Sequence, residues 1–339
     1  MRTGSSRSTA WRPSAASAPQ LVPVEGWEQL PSGLRHADVA AVAVDSQDRV
    51  YLFTRGDAAV LVYERDGRFV RSWRDAGFTE RTHGITIGPD DSVYCVDDAD
   101  HSVRKFTTDG EALLTLGTRG RPSDTGYDGT AYATIAHGGP PFNRPTNLAV
   151  APDGDLYVAD GYGNARVHRF AADGRLIGSW GEPGGGPGEF RIPHGICVLA
   201  DGRVLVADRE NDRIQLFDAE GRYLAEWRDV QRPTQLVLGP NGLLYVAELW
   251  WRAGQRSHRF GAIDADRYGR VSVLDTDGRV LARYGGTAPG TPGGFTAPHG
   301  IAVDSGGDVY VAEVTYTFGI APGVVPRDGA PTLQKLARR

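Results

Sequence analysis

Three histidines occupy the same position in a repeated sequence motif. They lie in the segments THGI, PHGI and PHGI, at His83, His194 and His299. The chain has eight histidines in 339 residues, so chance does not explain three in one repeat position. Three imidazoles that leave a coordination position open form the ligand set of a catalytic zinc site. The pattern predicts that these residues bind one divalent metal ion, with zinc as the first choice, although imidazole also suits copper, nickel and iron.

The repeat that carries the histidines predicts β-strands. Each copy has a short apolar strand, a turn, a second strand that ends in an acidic residue, a third strand, and an Asp-Gly turn before a fourth strand. Turn dipeptides such as Asp153-Gly154 and Asn241-Gly242 supply the positive φ angles that tight hairpins need. Six copies are present, and we align the starts of their first strands at Ala40, His83, Asn147, His194, Gln235 and His299.

Six such copies predict an all-β fold, a six-bladed β-propeller whose four-stranded blades surround a central channel. The first strand of a blade lines the channel, so histidines from alternate blades would converge at intervals of about 120° around the axis. Two repeats are longer, and their extra residues, 118–142 and 250–270, would cover one face of the ring. We expect residues 1–20 to form a disordered tail and residues 21–339 to form the propeller. The segment 26–31 would supply the outer strand of the last blade.

A second group of candidates follows the second strand of a blade, at the predicted mouth of the channel. Arg55, Tyr162 and Arg209 lie there. Above a metal ion, two arginines and a tyrosine would form a pocket for an anion, because arginine binds a carboxylate through two parallel hydrogen bonds. The alternative is that these are ordinary rim residues. The acid at the end of the second strand recurs in five blades, so we assign it a structural role: Asp97, Asp160, Asp208, Glu248 and Glu313.

Composition excludes several classes of partner. The net charge of −5 and the pI of about 5.9 argue against nucleic acid, because phosphate binding needs a basic surface. No apolar run is long enough to span a membrane. The two cysteines, Cys95 and Cys197, do not form a disulfide framework, which favours a reducing compartment. We therefore expect a cytoplasmic monomer that needs no organic cofactor and acts on a small-molecule or peptide-like carboxylated substrate.

Four kinds of local motif resemble one family. Residues 37–339 are similar to NHL-repeat propellers, and specifically to peptidyl-α-hydroxyglycine α-amidating lyases. The segments FTRGD at 53–57, ADGYGNARV at 159–167 and VADRENDRIQLF at 206–217 look like the segments that hold the lyase's functional residues. The resemblance implies that Arg55 and Tyr162 are catalytic and that Arg209 and Arg55 bind substrate. It also implies that the three histidine motifs are the zinc ligands.

The reaction that this resemblance implies is cleavage of the C–N bond of an N-acyl-α-hydroxyglycine, giving an amide and glyoxylate. The chain departs from the family at the disulfide positions, which are Gly163 and Leu216 here. Gly300 replaces an acid that helps to bind calcium, so we do not expect a structural calcium ion, and Ala297 replaces a methionine of the pocket. Two other functions stay open: metal-dependent hydrolysis of an ester or lactone, and a non-catalytic propeller that binds a protein partner.

Overall fold

The computed structural model describes residues 18–74, 76–291, 293–326 and 330–339. Residues 1–17 of the predicted tail lie outside the described residues. The described chain forms six four-stranded antiparallel sheets, which confirms the predicted six-bladed β-propeller. Among the described residues, no helix has the length and apolar character needed to cross a bilayer.

The innermost strands form a closed ring, because each packs beside the innermost strands of both neighbouring blades. They are His36–Val44, Thr82–Ile87, Pro145–Val150, Pro193–Val198, Pro233–Leu238 and Pro298–Val303. The second strands are Val50–Gly56, Val93–Asp97, Leu156–Asp160, Val204–Asp208, Leu244–Glu248 and Val309–Glu313. The third strands are Val60–Tyr63, Ser102–Phe106, Arg166–Phe170, Arg213–Phe217, Arg270–Leu274 and Leu333–Arg338.

The outermost strands follow in the same order for the first five blades: Phe69–Trp73, Ala112–Leu116, Leu176–Trp180, Tyr223–Trp227 and Val280–Gly285. In the sixth blade the outermost strand is Leu21–Val24, which pairs with Leu333–Arg338. The N-terminal segment therefore closes the ring. The sequence analysis predicted residues 26–31 for this outer strand, whereas the structure uses Leu21–Val24. Trp27 serves instead as a core residue, with its ring 5.2 Å from Tyr310 and 5.6 Å from Tyr63. Pro23 is tolerated because an outermost strand has a side without a ladder partner.

Six apolar clusters hold the blades together, one between each pair of neighbours. Their members alternate along the strands, so that each sheet contributes its two faces to two different clusters. The turn before the outer strand of blade two packs against the cluster between blades one and two. There Gly110, with a φ of 93°, lies against the ring of Trp73. A Cβ atom at Gly110 would lie 3.0 Å from that ring, which explains why glycine follows aspartate there.

The longer repeats add small elements on one face. The first insertion contains the 3₁₀ turn Tyr132–Thr134, and the second contains the short hairpin Arg256–Ser257 with Gly261–Ala262. Between blades three and four, Glu182–Pro183 pairs in parallel with Glu189–Phe190. A 3₁₀ turn at Arg209–Asn211 follows the second strand of blade four, and a π-helical turn at Tyr316–Ile320 follows that of blade six.

Candidate metal centre and active site

Each innermost strand contains a β-bulge, and the bulged residues form a ring around the channel. Pairing with the second strand skips one residue at the equivalent point of every blade: Ala40, His83, Thr146, His194, Thr234 and His299. Blade one skips Ala37 as well. A bulge leaves its extra residue unpaired and turns it away from the ladder. In blades three and five the structural equivalents of the histidines are therefore Thr146 and Thr234. Our sequence alignment had placed Asn147 and Gln235 there, one residue too late.

The three histidines meet at the axis in a nearly equilateral triangle. Their ring centroids are 4.8 Å apart for His83 and His194, 4.7 Å for His83 and His299, and 4.7 Å for His194 and His299. One nitrogen of each ring lies within 4.8 Å of the corresponding nitrogens of the other two. All three side chains are buried, at 2–5% exposure. The predicted convergence of alternate blades therefore brings three possible metal ligands together.

The backbone of the following blade fixes the orientation of each imidazole. Nδ1 lies 2.6 Å from the carbonyl oxygen of Thr146 for His83 and 2.7 Å from that of Thr234 for His194. For His299 the acceptor is the carbonyl oxygen of Ala40, at 2.6 Å. A carbonyl oxygen only accepts, so Nδ1 carries the hydrogen and donates it. Nε2 therefore carries the lone pair that could bind a metal, an arrangement typical of metal-binding histidines.

The glycine after each histidine makes this contact possible. A Cβ atom on Gly84 would lie 2.6 Å from the carbonyl oxygen of Thr146, and one on Gly195 would lie 2.5 Å from that of Thr234. At Gly300 it would lie 2.7 Å from the Cα atom of Ala41. The His-Gly dipeptide is therefore one structural unit: the glycine lets the neighbouring strand approach, and that strand accepts the hydrogen bond of the histidine.

Burial keeps the three imidazoles neutral. It is the main cause that lowers the pKa of His83, with further contributions from His299, His194 and the charge of Arg55. Burial likewise lowers the pKa of His194, and it lowers that of His299 to about 3. Neutral imidazoles with free Nε2 lone pairs are the form that binds a divalent metal. The donor set, its convergence and its protonation state therefore fit a three-histidine metal site.

Tyr162 lies directly beside two of the three histidines. Its hydroxyl oxygen is 3.1 Å from Nε2 of His83 and 3.1 Å from Nε2 of His194. Arg209 donates to the same oxygen at 3.2 Å. Arg209 also pairs with Glu210, which Arg232 holds from the other side at 2.7 Å. Burial alone would raise the pKa of Glu210, but the charges of Arg232 and Arg209 outweigh it and lower that pKa, so Glu210 stays ionised.

Arg55 approaches the triangle from the second strand of blade one. Its guanidinium lies 3.3 Å from the carbonyl oxygen of Thr82 and 3.3 Å from a carboxylate oxygen of the buried Asp38. Its charge contributes to the lowered pKa values of His83 and His299. The structure therefore places Tyr162 between His83 and His194, Arg209 beside Tyr162, and Arg55 near His83 and His299.

The recurring acid at the end of the second strand has contacts that support the structural role we assigned to it. Each of these side chains is fully buried and accepts a backbone N–H from the segment that leads into the innermost strand. The donors are Thr79, Asn143, Arg191, Gln231 and Thr296. The acid thus anchors the entry of each innermost strand and the bulged residue behind it.

Sequence reasoning missed two arginines of this face, Arg81 and Arg144. Both bind the buried Asp98, at 2.8 and 2.9 Å. A signal was available, because Arg81, Arg144 and Arg232 share one repeat position, two residues before the bulge. Around Tyr162 and the histidines the structure places five arginines and three acids, a formal surplus of two positive charges: Arg55, Arg81, Arg144, Arg209 and Arg232 with Asp38, Asp98 and Glu210.

The two insertions meet on this face. The hydroxyl of Tyr132, from the first insertion, lies 3.0 Å from Nε2 of His258, from the second. Tyr132 and His258 line one cavity together with Arg191 and Ile192, which places the contact near blade four. On the side of blades one and two, a cavity of about 780 Å³ reaches Arg55, Thr82 and Arg81.

Known proteins share both the sequence pattern and the fold. The family model described as "NHL repeat" matches residues 142–170, 190–217 and 295–318. Human NHL repeat-containing protein 3 is 34% identical over 313 residues, which cover 85% of this chain and 80% of that protein. Peptidyl-alpha-hydroxyglycine alpha-amidating lyase 1 of Drosophila melanogaster is 36% identical over 282 residues, which cover 76% of this chain and 47% of the lyase, so the matched region spans about half of that relative.

A solved structure supports the fold alone. A gluconolactonase from Xanthomonas campestris superposes with a TM-score of 0.55 at 16% identity, over 97% of this chain and 99% of the lactonase. A sequence identity of 16% does not support a shared function. The 34% identity to the human protein, over most of both chains, does show the family. The chain belongs to the NHL repeat-containing proteins and is related to proteins named as peptidyl-alpha-hydroxyglycine alpha-amidating lyases.

Proposed function

We propose that this protein is a metal-dependent carbon–nitrogen lyase that cleaves an N-acyl-α-hydroxyglycine to an amide and glyoxylate. One observation carries the proposal: the Tyr162 hydroxyl lies 3.1 Å from Nε2 of both His83 and His194, and Arg209 donates to it at 3.2 Å. The Tyr162 hydroxyl, which could transfer a proton, therefore lies beside both a possible metal centre and the cation of Arg209. The relationship to named amidating lyases supports the same reaction class.

The metal would be held by His83, His194 and His299, and zinc is the ion that we propose. When bound, such an ion polarises an oxygen of the substrate and stabilises the negative charge that develops there. The chain contributes the orientation of its ligands, since the carbonyl oxygens of Thr146, Thr234 and Ala40 fix the three rings.

Tyr162 would act as the general base and then as the acid. It removes the proton of the substrate hydroxyl, whose oxygen then forms the C=O bond of glyoxylate as the C–N bond breaks. The electron pair of that bond passes to the amide nitrogen, which takes up the proton to complete the amide product. Arg209 stabilises negative charge on the tyrosine oxygen, because its guanidinium donates to that atom.

The positive surplus around the site would bind the substrate carboxylate. Arg209 lies beside Tyr162, Arg55 lies beside Thr82, and a guanidinium can bind a carboxylate through two hydrogen bonds. The acyl group would then extend into the cavity of about 780 Å³ beside Arg55. The proposed substrate is therefore a small or peptide-like carboxylate, and the protein would act as a monomer.

Incubation with α-hydroxyhippurate tests the proposal directly. Zinc-loaded protein should release benzamide and glyoxylate in equal amounts, and glyoxylate can be followed by reduction with a coupled dehydrogenase. Protein treated with a chelator and then reloaded with zinc separates a metal requirement from loss of the fold. Absence of glyoxylate from fully loaded, folded protein would remove the lyase assignment and leave the metal site standing.

A further inference from the structure

Arg144, one of the two arginines that sequence reasoning missed, has an unusual backbone that it shares with the equivalent residues of other blades. Arg144 has a φ of 64°, in the left-handed region that non-glycine residues seldom occupy, and Arg232 at the equivalent position of blade five has a φ of 34°. The buried Ile192, at the same position of blade four, has a φ of 63°. The left-handed backbone therefore belongs to this repeat position, and the charges and contacts of the side chains are what distinguish Arg81 and Arg144.

Arg81 and Arg144 share a single carboxylate. Asp98 is fully buried and lies 2.8 Å from Arg81 and 2.9 Å from Arg144, so one negative charge faces two positive charges. Elsewhere the chain balances a buried arginine differently: Arg213, which is 1% exposed, binds both Asp208 and Glu226. The side chains of Arg81 and Arg144 are instead 37% and 23% exposed. The two guanidinium groups therefore carry one positive charge more than the carboxylate that they share, and Asp38, Asp57 and Glu80 also line the adjoining cavity.

This cluster belongs to the mouth of the site. The guanidinium carbon of Arg144 lies 5.9 Å from the ring centroid of Tyr162, and that of Arg209 lies 5.3 Å from it. Arg81 lines the 780 Å³ cavity together with Arg55 and Thr82. Tyr162 therefore lies between two clusters of the same kind, each with one acid shared by two arginines, and the proposed reaction uses only one of them.

We propose that Arg81 and Arg144 form a second anion subsite and that the substrate is a dianion. One carboxylate, on the carbon that reacts, is bound by Arg55 and Arg209, and a second anionic group on the acyl side is bound by Arg81 and Arg144. The substrate class is accordingly an N-acyl-α-hydroxyglycine whose acyl group is derived from a dicarboxylic acid. The reaction rests on the proposed lyase function, whereas the subsite itself does not.

Ligand binding tests the subsite without any reaction. Isothermal titration of the zinc-loaded full chain compares succinate with butyrate, which have the same carbon number and differ by one carboxylate. Succinate should bind about tenfold tighter or more, as expected for an additional charged hydrogen-bonded contact. Arg81→Gln and Arg144→Gln should each reduce that ratio to near one, whereas the control Arg175→Gln, in an exposed turn, should keep it.

Each single variant leaves Asp98 with one arginine, so two independent proteins report on the same contact. Equal affinities for the two acids in the unaltered chain, or an unchanged ratio in both variants, would overturn the subsite. A kinetic comparison then separates the two proposals, with N-succinyl- and N-butyryl-α-hydroxyglycine as substrates and glyoxylate as the readout. Release from neither substrate refutes the lyase, and equal kcat/KM for both refutes the subsite while the lyase survives.

Discussion

The Nδ1 atom of His83 lies 2.6 Å from the carbonyl oxygen of Thr146, the bulged residue of the next blade. The same relationship joins His194 to Thr234 and His299 to Ala40. Every histidine of the candidate metal centre is thus oriented by a neighbour that has no metal-binding side chain. The centre is therefore a property of the whole ring of bulges.

Replacement of one ligand should abolish metal binding. The unaltered protein should carry about one divalent ion per chain, and His194→Ala should carry almost none, because two imidazoles are too few for a stable site. His137→Ala removes an exposed histidine that is not one of the bulged residues, and this variant should retain the ion. Elemental analysis of the purified proteins measures this. Equal metal content in the two variants would contradict the three-histidine site.

Gly84→Ala should damage both the fold and the site. Its Cβ atom would lie 2.6 Å from the carbonyl oxygen of Thr146, so the neighbouring strand must move and His83 loses its acceptor. We expect a loss of about 1–3 kcal/mol in the free energy of unfolding and a metal affinity lower by roughly 10–100-fold. Gly178→Ala is the matched control, because a Cβ atom there meets nothing within 4 Å. Denaturant titration and a competing chelator provide the two measurements.

Tyr162→Phe should separate lyase chemistry from hydrolysis. The variant keeps the aromatic ring and loses the hydroxyl that contacts His83, His194 and Arg209. We expect kcat for glyoxylate release to fall by about 100-fold or more, as for loss of a general base, with unchanged metal content. Tyr223→Phe, at an exposed position, should keep full activity. Ester or lactone hydrolysis that survives in the Tyr162 variant would favour the hydrolase function instead.

Glu313 should make the folded state less stable as the pH rises. Burial raises the pKa of this carboxyl to about 7, and its hydrogen-bond donors, Gln334 and the backbone of Ala297 and Thr296, only partly offset that effect. The unfolded chain releases this proton near pH 4.5, the ordinary value for glutamate. Between these values the folded state binds more protons, so its stability falls with rising pH, by about 3 kcal/mol in total.

Glu313→Gln removes the ionisation, so its unfolding free energy should vary less between about pH 5 and pH 8. Chemical denaturation at several pH values compares it with the unaltered protein and with Glu111→Gln, which changes an exposed carboxyl. A pH dependence that is the same in all three proteins would show that Glu313 does not titrate in this range.

The histidine triangle could be predicted from the sequence because its members share one repeat position and alternate between blades. The residues that orient it could not. A β-bulge shifts the register by one residue, and Thr146 and Asn147 are both small polar residues, so composition does not indicate which of them faces the axis. The same ambiguity affects Thr234 and Gln235.

Two other features could not be predicted from the sequence, for different reasons. Leu21–Val24 contains Pro23, which is unfavourable in a strand unless that strand is at an edge, and only the assembled ring makes it one. Arg81 and Arg144 come from consecutive blades, with 62 residues between them, and only the fold brings them to Asp98. The shared repeat position of Arg81, Arg144 and Arg232 was visible, but its meaning depends on charges that the folded structure places together.

The sixth blade combines strands from opposite ends of the described chain, Leu21–Val24 and Leu333–Arg338, and it also carries His299. The pairing of these two strands closes the ring, and this seam is held by hydrogen bonds and side-chain packing. An ion bound by His83, His194 and His299 would add coordination bonds between this blade and blades two and four. Chelation would then remove a crosslink as well as a catalyst, and hydrogen exchange should rise first along the seam.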